Sequence, residues 1–192
     1  MLFKSEFNKY QTIITDRLVL KVLDESFVIP LLNFLENGRD SFEKYEAAKP
    51  PLYYTFPFQE HVLKSEYDAS RQKAYLRYYV FEKEDLDKII GTVSFGNILA
   101  EPYLSCNIGY KISPDKSHKG YCGEAVSAAV KAAYSYLDLH RINAFVQENN
   151  IASIRVLEKC GFALEGKCVK NIKVKGEWTD HLLYANIRSD GS

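Results

Sequence analysis

The chain has 192 residues, of which 46% are hydrophobic and 14% aromatic, a composition that fits one compact domain over residues 1–192 with an ample core. Its 25 Lys and Arg are matched by 25 Asp and Glu, for a formal net charge of zero, so bulk electrostatics argue against a nucleic-acid partner. Cys106, Cys122, Cys160 and Cys168 show no paired spacing, and His61, His118, His140 and His181 have no metal-ligand spacing. The cysteines therefore read as free thiols of a reducing compartment, and no metal is expected. There is no charged-then-apolar leader and no apolar run near about 18 residues, which predicts a cytoplasmic protein without membrane contact.

Residues 1–14 carry no pattern. Thr15–Lys21 alternates apolar and polar and predicts a strand, with Arg17 an exposed charge at its start. Asp24 is a plausible N-cap for a helix carrying Phe27, Val28, Leu31, Leu32 and Leu35, which Gly38 ends. Residues 39–58 mix Pro50, Pro51 and Pro57 with Tyr53, Tyr54, Phe56 and Phe58, too ring-rich for a disordered tail and too broken for a clean helix. A helix over Gln59–Lys73 follows, then strands over Tyr75–Glu82 and Lys88–Ile98 around a charged turn, Lys83–Asp87. Glu101-Pro102 leads into the next strand.

In Asn107–Asp115, Ile108, Tyr110 and Ile112 stand two apart, as a strand requires, and Pro114 stops the ladder. Lys116–Glu124 is a loop dotted with Gly120 and Gly123, after which Ala125, Val126, Ala129, Val130, Ala133 and Leu137 share a helical face. Strand, glycine loop and helix start is an order that suits a bound pyrophosphate. The first helical amides are unpaired, the helix end is positive, and glycine puts no Cβ in the way. A tight turn before a core helix is the plain alternative. Leu139–Gln147 predicts a strand parallel to 107–112 through the helix crossover. Asn149 or Asn150 then caps a helix whose Ile154 and Leu157 face the core and which Gly161 stops.

Two of these stretches resemble a known family. Gly120-Tyr-Cys-Gly-Glu-Ala125 is similar to the coenzyme-A loop, Q/R-x-x-G-x-G/A, of the GNAT superfamily of acyl-CoA-dependent N-acyltransferases, and closer to the G-Y-A-x-E-A of its ribosomal-protein N-terminal acetyltransferase (RimJ/RimL-like) branch. Cys122 departs from the second small position, and Ser117 stands where Gln or Arg is usual. Asn150, Ser153, Gly161 and Phe162 match N-x-x-S-x-x-x-x-x-x-x-G-F, Thr15–Lys21 resembles T-x-R-L-x-L-R, and Ile89–Phe95 resembles the family's I-G-x-I strand. The resemblance runs from residue 15 to about 187. It implies a mixed α/β (α+β) fold: a mostly antiparallel twisted sheet, one parallel pair splayed to admit acyl-CoA, and helices on both faces.

The resemblance also implies acetyl-CoA as co-substrate and direct attack of an amine on its thioester. By that likeness the amides of His118, Lys119, Gly120, Tyr121, Cys122, Gly123 and Glu124 hold the pyrophosphate. Pantetheine pairs with the backbone around Lys111 and Ile112, with the Ile112 amide as oxyanion donor. Asn150 holds a pantetheine amide, and Ser153 serves the coenzyme sulfur; a capping hydroxyl is the alternative for Ser153. Residues 39–58 become either a substrate-cleft wall or a second core patch. RimL-like members often carry Glu where Asn107 stands, which leaves Glu101, Asp180, His181 or water as base, with Asp180 and His181 equally readable as exposed hairpin positions. An acceptor at the N-terminus of a ribosomal-type protein is the leading expectation. A small amine held by Glu43 and Glu46 or by Glu84 and Asp85 is the alternative, and a non-catalytic acyl-CoA-binding module is a third reading. Lys167, Lys170, Lys173 and Lys175 form a row that would suit ribosomal RNA but reads more simply as a solvated face. A homodimer is left open.

Overall fold

The computed structural model describes residues 7–189, so the expectation of one domain over 1–192 extends past the described residues at both ends. Eight strands form a single sheet: β1 (Thr12–Ile14), β2 (Leu18–Lys21), β3 (Leu76–Glu82), β4 (Gly91–Leu99), β5 (Ser105–Ile112), β6 (Arg141–Val146), β7 (Ala163–Val174) and β8 (Glu177–Ile187). Their order across the sheet is β1-β2-β3-β4-β5-β6-β8-β7. Every neighbouring pair is antiparallel except β5 and β6, which run parallel through the intervening helix.

Alternation along the strands divides the core in two. In β3, Leu76, Tyr78 and Val80 turn to one face, where α4 (Tyr121–Leu137) and α5 (Ile151–Lys159) bury Val126, Ala129, Ala133 and Leu157. Tyr79 and Phe81 turn to the other face, against α1 (Val28–Asn37), the short α2 (Arg39–Glu43) and α3 (Phe56–Arg71). Helices thus cover both faces, as expected.

The differences from the sequence reading have local causes. The first strand shortens to Leu18–Lys21, because Thr15 turns the chain (Thr15 N–H to Leu18 O, 3.0 Å) and lets Thr12–Ile14 pair back on it. Asp24 caps a single 3-10 turn over Glu25–Phe27, with the α-helix starting at Val28. Pro57 was a breaker in the sequence, yet α3 contains it in its first turn, where a missing amide costs nothing. Residues 39–58 supply part of the second core, with Phe42 buried and Tyr53 and Tyr54 packed against it, and residues of the same segment wall a cavity. Gly38 is required there, since a Cβ would stand 2.1 Å from the Phe42 ring.

Candidate active site

The parallel pair β5–β6 holds for three residues, Ser105↔Arg141 to Asn107↔Asn143, and then ends. On its other edge β5 stays paired with β4 as far as Ile112↔Gly91, and Ser113 N–H donates to Ile90 O at 2.8 Å. Backbone direction alternates along a strand, so Tyr110 and Ile112 turn their N–H and C=O the opposite way, into the gap beside β6. The result is a slot edged by main-chain donors and acceptors, able to take an extended chain as an added strand.

The glycine loop lies at one end of this slot. Gly120 has φ +80°, a conformation that disfavours side chains, and it opens α4. The helix begins four residues before the apolar pattern does, because Tyr121–Glu124 lie half-exposed at the mouth. Among the described residues no backbone acceptor takes the amides of His118, Lys119, Gly120, Tyr121, Cys122 or Gly123, and a Cβ on Gly123 would meet nothing within 4 Å. These free donors at a helix N-terminus are what a phosphate needs. Glu124 differs. Its amide donates to Gly120 O at 3.2 Å, so it is spent inside the helix, a correction to its expected place among the phosphate donors. Its carboxylate accepts from Thr15 Oγ1 (2.6 Å), Arg17 N (2.9 Å) and Arg17 Nε (2.7 Å). Burial resists ionisation there, but the Thr15 hydroxyl and the Arg17 amide and guanidinium hold the carboxyl below its usual range.

Arg17 is therefore no idle surface charge. Besides gripping Glu124, its Nη1 donates to Lys119 O at 2.9 Å and its guanidinium lies 4.5 Å from the Tyr121 ring centroid. It fixes the loop from outside. Cys122 points the other way, into the packing beside Cys160, and burial pushes its thiol up to about 12, leaving its amide as the group at the loop surface.

Ser153 stands in the first turn of α5. Asn150 is the N-cap, its Oδ1 accepting from Ser153 N–H at 3.3 Å, so Ser153 is not the capping hydroxyl. The Ser153 hydroxyl instead lies 2.8 Å from Tyr110 Oη, and Tyr110 also donates to Ser153 O at 3.0 Å. Burial raises the Tyr110 pKa well above its ordinary value, so the phenol keeps its proton. The phenol–serine pair couples the slot strand β5 to the N-terminus of α5, where a developing anion is favoured.

On the opposite face of β5, Lys111 bonds Glu46 (2.9 Å), which also pairs with Lys49. Burial pulls the Lys111 ammonium below its ordinary value against the attraction of Glu46. Burial equally opposes ionisation of Glu46, but Lys111 and Lys49 hold it below its usual range. Glu46 borders a cavity of about 580 Å³ walled by Arg39, Glu43, Lys49, Tyr53, Tyr54 and, from the β7–β8 turn, Lys175. A slot able to take an extended arm thus lies on one side of β5 and a polar cavity on the other.

The chain matches the model of the acetyltransferase (GNAT) domain over residues 17–163. It belongs to the GNAT acetyltransferase family. It is 35% identical over 159 residues, 83% of this chain and 87% of that protein, to the probable N-acetyltransferase YjcK of Bacillus subtilis. Its fold superimposes on the crystal structure of the ribosomal-protein-S5-alanine acetyltransferase of Vibrio fischeri with a TM-score of 0.88 at 25% identity, covering 93% of this chain and 97% of that one. RimJ of Mycobacterium smegmatis, solved with CoA-disulfide, shares the fold at a TM-score of 0.82 and 21% identity, over 88% of this chain and 81% of that one.

Within this GNAT domain the three base candidates separate. Glu101 is exposed in the turn after β4. Asp180 accepts from Lys170 N (2.9 Å) and pairs with Lys167 (3.0 Å), contacts that hold its carboxyl below the ordinary range and make it a poor base. His181 is buried, at 3% exposure, which corrects its reading as an exposed hairpin position. It lies one step beyond the last β6–β8 pair, Val146↔Leu182, on the face of β8 shared with Leu183. That register sets it opposite Gln147, whose buried Nε2 has no partner among the described residues. Lys167, Lys170, Lys173 and Lys175 are all exposed, as a solvated face requires, with Lys167 paired to Glu148 and Asp180 and Lys175 at the cavity. The side-chain roles of Arg17, Tyr110 and Lys111 are not legible along the chain because their partners lie 107, 43 and 65 positions away. The Lys111 backbone, expected beside pantetheine, faces β4 instead, leaving Tyr110 and Ile112 at the slot. No helix among the described residues is long and apolar enough to cross a membrane.

Proposed function

We propose that this GNAT domain is a single-domain cytoplasmic enzyme that transfers the acetyl group of acetyl-CoA to the N-terminal α-amine of a protein. The observation that carries the acceptor class is the state of the cavity's carboxylates. Glu43 is held by Arg39 (3.1 Å) and by the Tyr54 hydroxyl (2.6 Å), and Glu46 by Lys49 and Lys111. Neither is free to hold a polyamine or an aminoglycoside, which would need unpaired acids. An α-amine needs none, and with a pKa of about 7.7–8.0 roughly a tenth of it is already neutral near pH 7, against under a thousandth of a lysine amine.

In this reading the amides of His118 to Gly123 bind the pyrophosphate, and Tyr110 and Ile112 pair with the pantetheine arm. Asn150 spends its Oδ1 on the helix cap and offers its Nδ2 to the arm. The amine nitrogen attacks the thioester carbonyl, the Ile112 N–H stabilises the oxyanion, the C–S bond breaks, and Ser153 gives its proton to the departing sulfur with Tyr110 behind it. The amine's proton goes to His181, directly or through a water. A lone pair is available at Nε2 if Nδ1–H donates to Thr179 O, 3.2 Å away.

His181→Gln is expected to lower kcat/KM by about a hundredfold or more, the lower end of what a general base contributes. CoA affinity by calorimetry should stay unchanged, and an unaltered kcat/KM would remove His181 from the reaction. The function itself is tested by thiol release from acetyl-CoA against peptides with free Ala, Ser or Thr N-termini and against polyamines and aminoglycosides. Turnover of the peptides alone is expected; turnover of the small amines alone would overturn the acceptor class.

A further inference from the structure

The cavity between residues 39–55 and the β7–β8 turn has a charge imbalance that the transfer chemistry does not use. Two carboxylates, Glu43 and Glu46, and three cations, Arg39, Lys49 and Lys175, line it, and a fourth cation, Lys111, reaches Glu46 from β5 behind the wall. Glu43 is matched by Arg39. Glu46 faces two lysines at once, which leaves one positive charge over. Lys175, exposed at the hairpin turn, has no acidic partner among the described residues and adds a second. These cations are held in place: Arg39 lies 4.3 Å from the Tyr54 ring centroid, Lys49 lies 5.0 Å from that of Tyr53, and Lys111 lies 4.8 Å from that of Phe42. Cations already ordered on aromatic faces lose little freedom when an anion arrives.

The cavity is also connected to the reaction centre. Glu46 on its wall bonds Lys111, which sits in β5 between Tyr110 and Ile112, the two residues whose amides edge the slot. An acceptor with its amine at the slot would extend past Lys111 toward Lys175. We propose that this cavity selects acceptor peptides carrying an acidic side chain within the first few residues after the α-amine, with Lys175 and the surplus lysine beside Glu46 as the anion-recognising groups. The proposal rests on the acetyl-transfer reading for the placement of the amine, and its own readout is binding.

The test uses the full chain saturated with CoA and two fluorescein-labelled peptides, Ala-first, identical except for Asp-Glu or Lys-Lys at the second and third positions. By anisotropy at low salt the acidic peptide is expected to bind about tenfold tighter, with the preference shrinking as salt rises. Lys175→Glu, at an exposed hairpin turn, should abolish or reverse the preference while leaving the thermal midpoint and CoA affinity unchanged. Equal binding of the two peptides, tighter binding of the basic one, or no binding of either overturns the proposal. Retained acidic preference without acetyl transfer to either peptide would refute the catalytic reading and leave this one standing.

Discussion

Gly120→Val is expected to weaken CoA binding by about a hundredfold or more, a loss near 3 kcal/mol. Two effects act together. Gly120 sits at φ +80°, and a β-branched side chain there is strained by about 1–3 kcal/mol, so the loop leaves the conformation that aims its amides outward. A Cβ would also stand 3.4 Å from Arg17 Nη2, ordinary contact for one carbon, but the two methyls of valine would press on the clamp or fill the space before the amides of His118–Gly123. Calorimetric titration with CoA measures the loss, and a melt of the ligand-free protein checks that the fold survives. Undiminished binding would refute the assignment of the loop to the pyrophosphate.

Ser153→Ala should lower kcat by about tenfold or more with little change in CoA affinity. The separation is expected because the helix cap does not depend on this hydroxyl: Asn150 Oδ1 takes the Ser153 amide, which alanine retains. What disappears is the proton source for the leaving sulfur, and Tyr110 loses a 2.8 Å partner while keeping its bond to the Ser153 carbonyl. Steady-state kinetics with a peptide acceptor, set beside CoA titration, give both quantities. An unchanged kcat would take Ser153 out of the chemistry, and a large loss of CoA affinity would make it a binding residue instead.

What could be read along the chain was whatever depends on near neighbours. The glycine loop, the Asn150 cap and the Gly161 stop at φ +80° follow from residues a few positions apart, the parallel strand pair follows from the strand–helix–strand order, and all are present. Pro57 misled because proline breaks a helix interior but suits its first turn, and only the start at Phe56 tells the two apart. Arg17 reads along the chain more simply as an exposed charge than as a functional one, since nothing near it in sequence announces Glu124. Under the small-amine alternative Glu46 is one of the carboxylates offered to a cationic substrate. Its pairing with Lys111 is set by the fold, which lays the α2–α3 connection over β5. His181 falls between these cases: alternation fixes its face, but not the burial that sets it apart from Asp180.

The Arg17–Glu124 clamp joins parts of the chain that are made at different times. Its two residues are 107 positions apart, so at about 5–20 residues per second a ribosome delivers the second roughly 5 to 20 seconds after the first. β3 arrives part-way through that interval to pair with β2, but α4 comes only at its end, and the coenzyme loop is set only when α4 closes against the beginning of the chain. Ligand affinity in this domain is thus a late-arriving property, completed by its earliest-made residues. Substitutions that disturb Thr15–Arg17 would register first as lost coenzyme affinity, in a protein whose two cores remain packed.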